Sequence, residues 1–218
     1  MEIPPLSRKP LVAVVDYGMG NLRSVVKALE VCGASVKLIE TPQEVGDSEA
    51  LVFPGQGAIG GCMQQLRRNG FADLLSGWIR EDRPYFGICL GMQALFSRSE
   101  ESSESGLAVF PGEVRRFPSA GGLKIPHMGW NEARWQDPED PLLEGIAKPA
   151  AHFYFVHSYR VESTERDLIW STTDYGGAFV SGVRRGNCLA TQFHPEKSQF
   201  YGLRLYRNFL ELVCSSTL

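Results

Sequence analysis

Long hydrophobic runs and a strong excess of charge of one sign are both absent from this sequence. No stretch approaches the roughly 18 consecutive apolar residues of a membrane-spanning helix, and residues 1–10 lack the apolar centre of a secretory signal peptide. The formal net charge is −3 and the isoelectric point is about 5.9. The composition therefore argues against a membrane, a nucleic acid or a secretory route as the setting of this protein.

Paired cysteines are also absent. The five cysteines are odd in number, scattered along the chain, and never spaced as Cys-x-x-Cys. The spacing indicates neither a disulfide framework nor a zinc site. We therefore expect no metal and no cofactor, and a reducing cytoplasm is the natural compartment for these thiols.

The first half of the chain has the pattern of an α/β protein. Apolar runs at residues 11–15, 35–39, 50–53 and 85–88 predict strands, and helical spacing at residues 22–32, 61–68 and 71–79 predicts the connections between them. Strands joined by helices at this spacing pair in parallel through right-handed crossovers. We therefore expect a central, mostly parallel sheet flanked by helices.

The second half changes character. Predicted strands at residues 112–117, 152–161, 168–172, 178–184 and 188–193 are partly separated by glycine-rich turns, which is typical of antiparallel hairpins. A helix is predicted at residues 198–212. With no long linker, we expect an irregular extension at residues 1–10 and one domain at residues 11–214.

Cys89 has the sequence context of a nucleophile. It lies between Gly87 and Gly91, directly after a predicted buried strand and before a helical pattern at residues 92–96. This is the strand–turn–helix spacing of a nucleophile elbow, in which a cramped turn leaves no room for side chains on either side. A lone cysteine is more often a small core residue, and it is the flanking pattern together with His194-Pro195-Glu196 that favours the nucleophile.

His194 and Glu196 supply the partners that such a nucleophile needs. They stand in Phe-His-Pro-Glu at the end of a predicted strand, where alternate residues share a face. The carboxylate can orient the imidazole while the other ring nitrogen takes a proton from Cys89. A surface ion pair is the alternative for His194 and Glu196 alone, but together with Cys89 they predict a catalytic triad.

Acyl transfer also needs donors for an oxyanion. The backbone amide of Leu90, at the start of the elbow helix, is one candidate. The loop at residues 53–58 follows a strand and offers a second, either the Gln56 or the Gly55 amide, between which the sequence does not choose. An ordinary loop after a strand is the alternative.

These motifs together resemble the class I glutamine amidotransferases, the triad glutaminases. Pro54-Gly55-x-Gly57, the run from Gly87 to Gln93 and Phe193-His194-Pro195-Glu196 match in order and spacing, over about residues 11–213. The resemblance implies a flavodoxin-like fold and L-glutamine as the substrate. For the oxyanion hole we take the Gln56 and Leu90 amides as the working prediction, with Gly55 as the alternative to Gln56. The resemblance further implies that the substrate is bound by Gly57, Gln93, Glu101, Tyr154 and His157. A solvated helix position and a loop charge are the alternatives for Gln93 and Glu101.

Several other segments resemble the glutaminase subunits of imidazole glycerol phosphate synthases. They are residues 16–21, 126–131, 153–159 and 194–198. The resemblance implies a heterodimer with a cyclase subunit, a (β/α)₈ barrel that this chain is too short to contain as well. The cyclase would use the ammonia to make imidazole glycerol phosphate and AICAR in histidine biosynthesis. Trp130, Asn131 and Lys197 are candidate contacts with it, although Trp130 is as readily a core residue.

The expected chemistry is hydrolysis of a carboxamide through a thioester on Cys89, with lyase activity in the complex with the cyclase. Three alternatives stay open. The first is a subunit of another class I amidotransferase. The second is a stand-alone cysteine hydrolase of the same fold, and the third is a catalytically silent regulatory subunit. Gln93 and Glu101 argue against the second, and the intact triad argues against the third.

Overall fold

The computed structural model describes residues 6–20, 22–118 and 122–216. Its helices are α1 (Leu22–Val31), α2 (Ile59–Arg68), α3 (Phe71–Arg80), α4 (Leu90–Gln93) and α5 (Gln199–Ser215). Its strands are β1 (Leu11–Val15), β2 (Ser35–Ile39), β3 (Ala50–Gly55), β4 (Tyr85–Cys89), β5 (Arg98–Ser99), β6 (Glu113–Arg116), β7 (His127–Trp135), β8 (Ala150–His157), β9 (Tyr159–Glu162), β10 (Ile169–Asp174), β11 (Ala178–Arg185) and β12 (Cys188–Thr191). Within the described residues, no helix is long and apolar enough to cross a bilayer.

One sheet runs through the described part of the chain in the order β2-β1-β3-β4-β12-β11-β10-β7-β8. The strands from β2 to β12 are parallel, and those from β12 to β8 are antiparallel. The short strands β5, β6 and β9 branch from β11. The predicted fold class, a parallel sheet with an added antiparallel portion in the second half, is confirmed.

Both faces of the inner parallel strands β1, β3, β4 and β12 are covered, as buried parallel sheets require. Val12 and Val14 of β1 pack in one apolar cluster, and Ala13 and Val15 pack in another, because successive side chains point to opposite faces. Helices α1 and α5 complete the first cluster, and α2 and α3 complete the second. The continuous apolar runs of the sequence follow from this two-sided burial.

The structure corrects two local expectations and adds one strand that was not predicted. The strand predicted at residues 152–161 is two strands, β8 and β9, with Ser158 between them. The helix predicted after Cys89 is the single turn α4, and the chain then leaves it through buried turns. The nine-residue strand β7 was not predicted, because its inward positions include His127 and its alternation of polar and apolar residues is weak.

Helix α5 is pressed against the short 3₁₀ turn Pro195–Lys197. A Cβ on Gly202 would overlap the carbonyl oxygen of Pro195. Ser198 closes the same junction, since its hydroxyl donates to the carbonyl of His194 (2.6 Å) and accepts from the backbone amide of Tyr154 (3.0 Å). The turn that carries Glu196 is therefore fixed from both sides.

We predict that Gly202→Ala destabilises the protein by roughly 1–3 kcal/mol, because the added methyl group forces α5 away from the turn. Gly61→Ala is the matched control, since a Cβ at that exposed position in α2 meets no atom within 4 Å. The control is expected to stabilise the helix by roughly 0.5–1 kcal/mol. Urea unfolding of both variants measures the difference, and equal stabilities would contradict the close packing at Gly202.

Candidate active site

Cys89 ends β4 in a strained backbone conformation. Its φ is 56° and its ψ is −103°, a left-handed region that costs a non-glycine residue roughly 1–3 kcal/mol. The side chain is nearly buried, and the single turn α4 starts at the next residue. This is the sharp strand-to-helix turn that the sequence predicts for a nucleophile elbow.

The glycines around Cys89 are required by close backbone contacts. A Cβ on Gly91 would overlap the carbonyl oxygen of Phe53 in β3. One on Gly87 would lie 2.8 Å from the carbonyl oxygen of Gly91, and one on Gly55 would lie 2.8 Å from the Cβ of Leu90. The elbow therefore packs directly on the carboxyl end of β3.

His194 and Glu196 meet in a buried hydrogen bond. The Nδ1 of His194 lies 2.7 Å from Oε1 of Glu196, and the two side chains are 8% and 3% exposed. The backbone amide of His194 donates to the carbonyl of Tyr154 (2.9 Å). The expectation that both residues lie on one face of a strand is wrong in detail, because β12 ends at Thr191 and Glu196 lies in the following 3₁₀ turn. That turn, rather than strand alternation, brings the carboxylate to the imidazole.

The charge state of His194 is set by its neighbours. Burial lowers the pKa of this imidazole, but Cys89 and the carboxylate of Glu196 outweigh burial and raise the pKa to about 9. Since Nδ1 is engaged by Glu196, Nε2 is the nitrogen left for the sulfur. Within the described residues Nε2 makes no contact of normal hydrogen-bond geometry, although Cys89 is near enough to act on the pKa. The arrangement keeps the imidazole of His194 protonated at neutral pH.

Tyr206 of α5 is a neighbour of the triad that the sequence did not reveal. Burial raises the pKa of its hydroxyl, and the nearby carboxylate of Glu196 raises the pKa further. The side chain belongs to the apolar cluster on one face of the sheet, and its ring packs against Phe86 of β4 in a tilted arrangement with ring centroids 5.5 Å apart. Its place in a regular helical pattern carried no signal of this contact.

A cavity of about 410 Å³ opens above Cys89. Most of the residues that the sequence singled out line it: Gln56, Gly57, Cys89, Leu90, Gln93, Glu101, His157, His194 and Lys197. Four others, Tyr154, Trp130, Asn131 and Glu196, do not line it. A volume of this size is suited to a small molecule.

The loop between β3 and α2 forms one wall of the cavity. Oε2 of Glu101 accepts a hydrogen bond from the backbone amide of Ile59 (2.9 Å), so the carboxylate sits at the start of α2. Gly57 has a φ of +87°. Burial and the neighbouring Cys62 raise the pKa of the Tyr17 hydroxyl, and a hydrogen bond with the backbone of Gln56 offsets this only in part. The oxyanion roles of the Gln56 and Leu90 amides stay predictions.

Gln93 and His157 are held by the backbone of β9. Nε2 of Gln93 donates to the carbonyl of Tyr159 (3.2 Å) and to Oε1 of Gln192 (2.9 Å). Nδ1 of His157 lies 2.7 Å from the same carbonyl, and its Nε2 lies 3.0 Å from Nδ1 of His127. Gln93 therefore has only its carbonyl oxygen left for a ligand.

The His127–His157 pair is neutral. Burial lowers the pKa of His127 to about 4, and burial also lowers the pKa of His157 to about 3. Because a carbonyl can only accept, Nδ1 of His157 carries the proton and its Nε2 accepts from His127. The Nε2 of His127 then accepts from Nδ2 of Asn131 (3.2 Å). The pair supports the cavity wall, and the imidazole of His157 has no free nitrogen.

The remaining candidates form a surface beside the cavity. Trp130 is 48% exposed, so the alternative that it belongs to the core is wrong. Its ring meets that of Tyr154 with centroids 6.3 Å apart, and Nζ of Lys197 lies 5.9 Å from the Tyr154 ring centroid. Asn131 turns inward to His127 and to the carbonyl of Asp174.

Known proteins resemble the chain over nearly its full length. The sequence profile described as glutamine amidotransferase class-I matches residues 13–212. In the solved structure titled "Structure of PurLQS from Thermotoga maritima", one chain aligns with a TM-score of 0.74 at 19% identity, covering 94% of this chain and 99% of that one. The chain belongs to the class I glutamine amidotransferase family.

Curated relatives narrow the resemblance within that family. The protein of Chromobacterium violaceum named imidazole glycerol phosphate synthase subunit HisH is 47% identical, with 91% of this chain and 96% of the relative covered. The HisH subunit of Acinetobacter baylyi is 45% identical over 92% and 97%. In Arabidopsis thaliana, the chloroplastic synthase named hisHF is 44% identical over 92% of this chain but only 34% of its own length.

We predict that Glu196→Gln lowers the pKa of His194 from about 9 towards or below its ordinary value, because the carboxylate favours the charged imidazole. Histidine NMR measures the change, and His194 is readily separated from His127 and His157, which titrate near pH 4 and 3. Glu144→Gln, a substitution at an exposed side chain, is the control and leaves the titration unchanged. An unshifted His194 in Glu196→Gln would refute the assigned pairing.

Proposed function

We propose that this protein is the glutaminase subunit of an imidazole glycerol phosphate synthase. It hydrolyses L-glutamine to glutamate and ammonia, and it passes the ammonia to a cyclase subunit that makes imidazole glycerol phosphate and AICAR. The observation that carries the proposal is the meeting of Cys89 and the His194–Glu196 pair at one small cavity. Relatives named HisH, 44–47% identical over more than nine tenths of the chain, support the choice of synthase.

The proposed reaction starts from the thiolate of Cys89 and the imidazolium of His194. The sulfur attacks the carboxamide carbon of glutamine, and backbone amides at Gln56 and Leu90 hold the oxyanion. The tetrahedral intermediate collapses to a thioester as His194 gives its proton to the leaving ammonia. His194 then takes a proton from water, which attacks the thioester. Glutamate leaves, and the ion pair is restored.

The cavity offers groups of the right chemistry for an amino acid. Glu101 and the carbonyl oxygen of Gln93 attract the ammonium group or amide hydrogens, and Lys197 attracts a carboxylate. The backbone at Gly57 completes the wall near Cys89. We propose these residues as the glutamine site, with Tyr154 and His157 acting through the positions of His194 and Tyr159 rather than by direct contact.

We propose that the cyclase is a separate subunit. Relatives that are themselves named as the HisH subunit of the synthase are covered over 94–97% of their own lengths. The exposed side chain of Trp130 and the half-buried side chain of Lys197 flank Tyr154 next to the cavity, which is where a receiver of ammonia must dock. A single domain at residues 11–214 and a cytoplasmic location are parts of the same proposal.

We predict that Cys89→Ala abolishes ammonia release from glutamine while the protein stays folded, because Cys89 is the cysteine that lines the cavity among the described residues. Cys214→Ala, at a partly exposed thiol in α5, is the control and keeps normal turnover. An ammonia assay and a thermal melt of both variants test this. Near-normal glutaminase turnover in Cys89→Ala would refute the proposal, as would alkylation of wild-type Cys89 that glutamine does not slow.

We predict that Trp130→Ala weakens binding to the purified cyclase by about thirtyfold, the effect of losing an aromatic interface anchor worth about 2 kcal/mol. Leu38→Ala is the matched control, because Leu38 is 47% exposed on the far edge of the sheet. Titration calorimetry measures both affinities. Equal affinities for Trp130→Ala and the wild type would mean that the cyclase binds to a different surface of this protein.

A further inference from the structure

Gln192 is a fully buried side chain that contacts the sulfur of Cys89. Its Nε2 donates to Sγ across 3.5 Å, a normal distance for a hydrogen bond to sulfur. The residue stands between β12 and the His194–Glu196 pair, and the mechanism above gives it no role. A buried amide without a role at a reacting atom calls for a physical explanation.

The direction of this amide is fixed by a chain of hydrogen bonds that begins at a backbone carbonyl. The carbonyl of Tyr159 can only accept, so Gln93 must turn its Nε2 towards it. The same Nε2 donates to Gln192, which must therefore present Oε1 to Gln93. The remaining end of Gln192, its NH₂ group, is thereby directed at Cys89.

The backbone on either side of the amide is fixed as well. The backbone amide of Gln192 donates to the carbonyl of Ser181 in β11 (2.9 Å), and the hydroxyl of Thr191 donates to the carbonyl of Phe193 (3.0 Å). A buried side chain with both ends hydrogen-bonded has little freedom to rotate. Gln192 cannot turn its oxygen to the sulfur without breaking its bond to Gln93.

A donor aimed permanently at sulfur favours the thiolate over the thiol, because hydrogen bonds to an ionised acceptor are about twice as strong as neutral ones. We propose that Gln192 positions the Cys89 sulfur and stabilises its thiolate, and that Gln93 holds Gln192 in the donor orientation. The effect of Gln192 on turnover rests on the proposed glutaminase function. The effect of Gln192 on the reactivity of Cys89 does not depend on that function.

The test is the pH dependence of Cys89 alkylation by iodoacetamide in the full-length protein, read for each cysteine by peptide mass spectrometry. Gln192→Met removes the donor at similar length. We expect the pH of half-maximal rate to rise by about one unit, which is about tenfold less reactive thiolate at neutral pH. Gln192→Glu faces the sulfur with a carboxylate oxygen and shifts the profile at least as far. The exposed control Gln64→Met leaves the profile unchanged.

Among the described residues, Cys89 acts on the pKa of two titratable neighbours, His194, from the turn after β12, and Tyr17, from the loop after β1. Both are retained in every variant, so a shift reports the amide. In the glutaminase assay, we expect Gln192→Met to lower kcat about tenfold with KM within about twofold. A purely structural role would instead lower the melting temperature and leave the alkylation profile in place.

Superimposable profiles for folded Gln192→Met and wild-type protein would overturn the inference. If neither Gln192 variant folds, NMR of the wild-type side-chain amides decides instead. The Gln192 NH₂ resonances should move with pH together with the alkylation rate and stay still in Cys89→Ala, and motionless resonances in the wild type overturn the inference. If the wild-type Gln192 NH₂ resonances shift with pH but the protein releases no ammonia from glutamine, the proposed glutaminase function is wrong and the inference about Gln192 stands.

Discussion

The parallel pairing of β12 with β4 is the contact on which the site depends. The two strands run in register from Cys188 opposite Tyr85 to Thr191 opposite Ile88, so the residues that follow them leave the sheet side by side. Cys89 and Gln192, 103 residues apart in sequence, become neighbours in this way. β12 lies at the centre of the sheet, between β4 and the antiparallel strand β11, where both faces are covered.

Burial acts on the imidazoles of this protein in opposite ways because their partners differ. His157 and His127 face each other and a carbonyl, and desolvation keeps both rings neutral. His194 is similarly buried but faces a carboxylate and a sulfur, and it holds its proton well above neutral pH. The neutral pair thus supports the cavity wall, and the charged residue is left to move protons.

The parts of the structure that depend on neighbours in sequence were predictable. The elbow was visible because Gly87, Cys89 and Gly91 act within one turn, and the parallel sheet was visible because two-sided burial leaves uninterrupted apolar runs. Strand β7 escaped because polar His127 occupies an inward position there. The contacts of Gln192 and Tyr206 also escaped, because each depends on a partner more than a hundred residues away or on the packing of a whole helix.

The short turn at Pro195–Lys197 directs two consecutive side chains to different parts of the site. Glu196 points inward to the imidazole, while Lys197 lies at the cavity rim beside the Tyr154 ring. The close fit of Gly202 against Pro195 leaves the turn no slack in which to absorb a displacement. A displacement of Lys197 at the rim would therefore reach the carboxylate of Glu196, one peptide bond away, with little loss on the way.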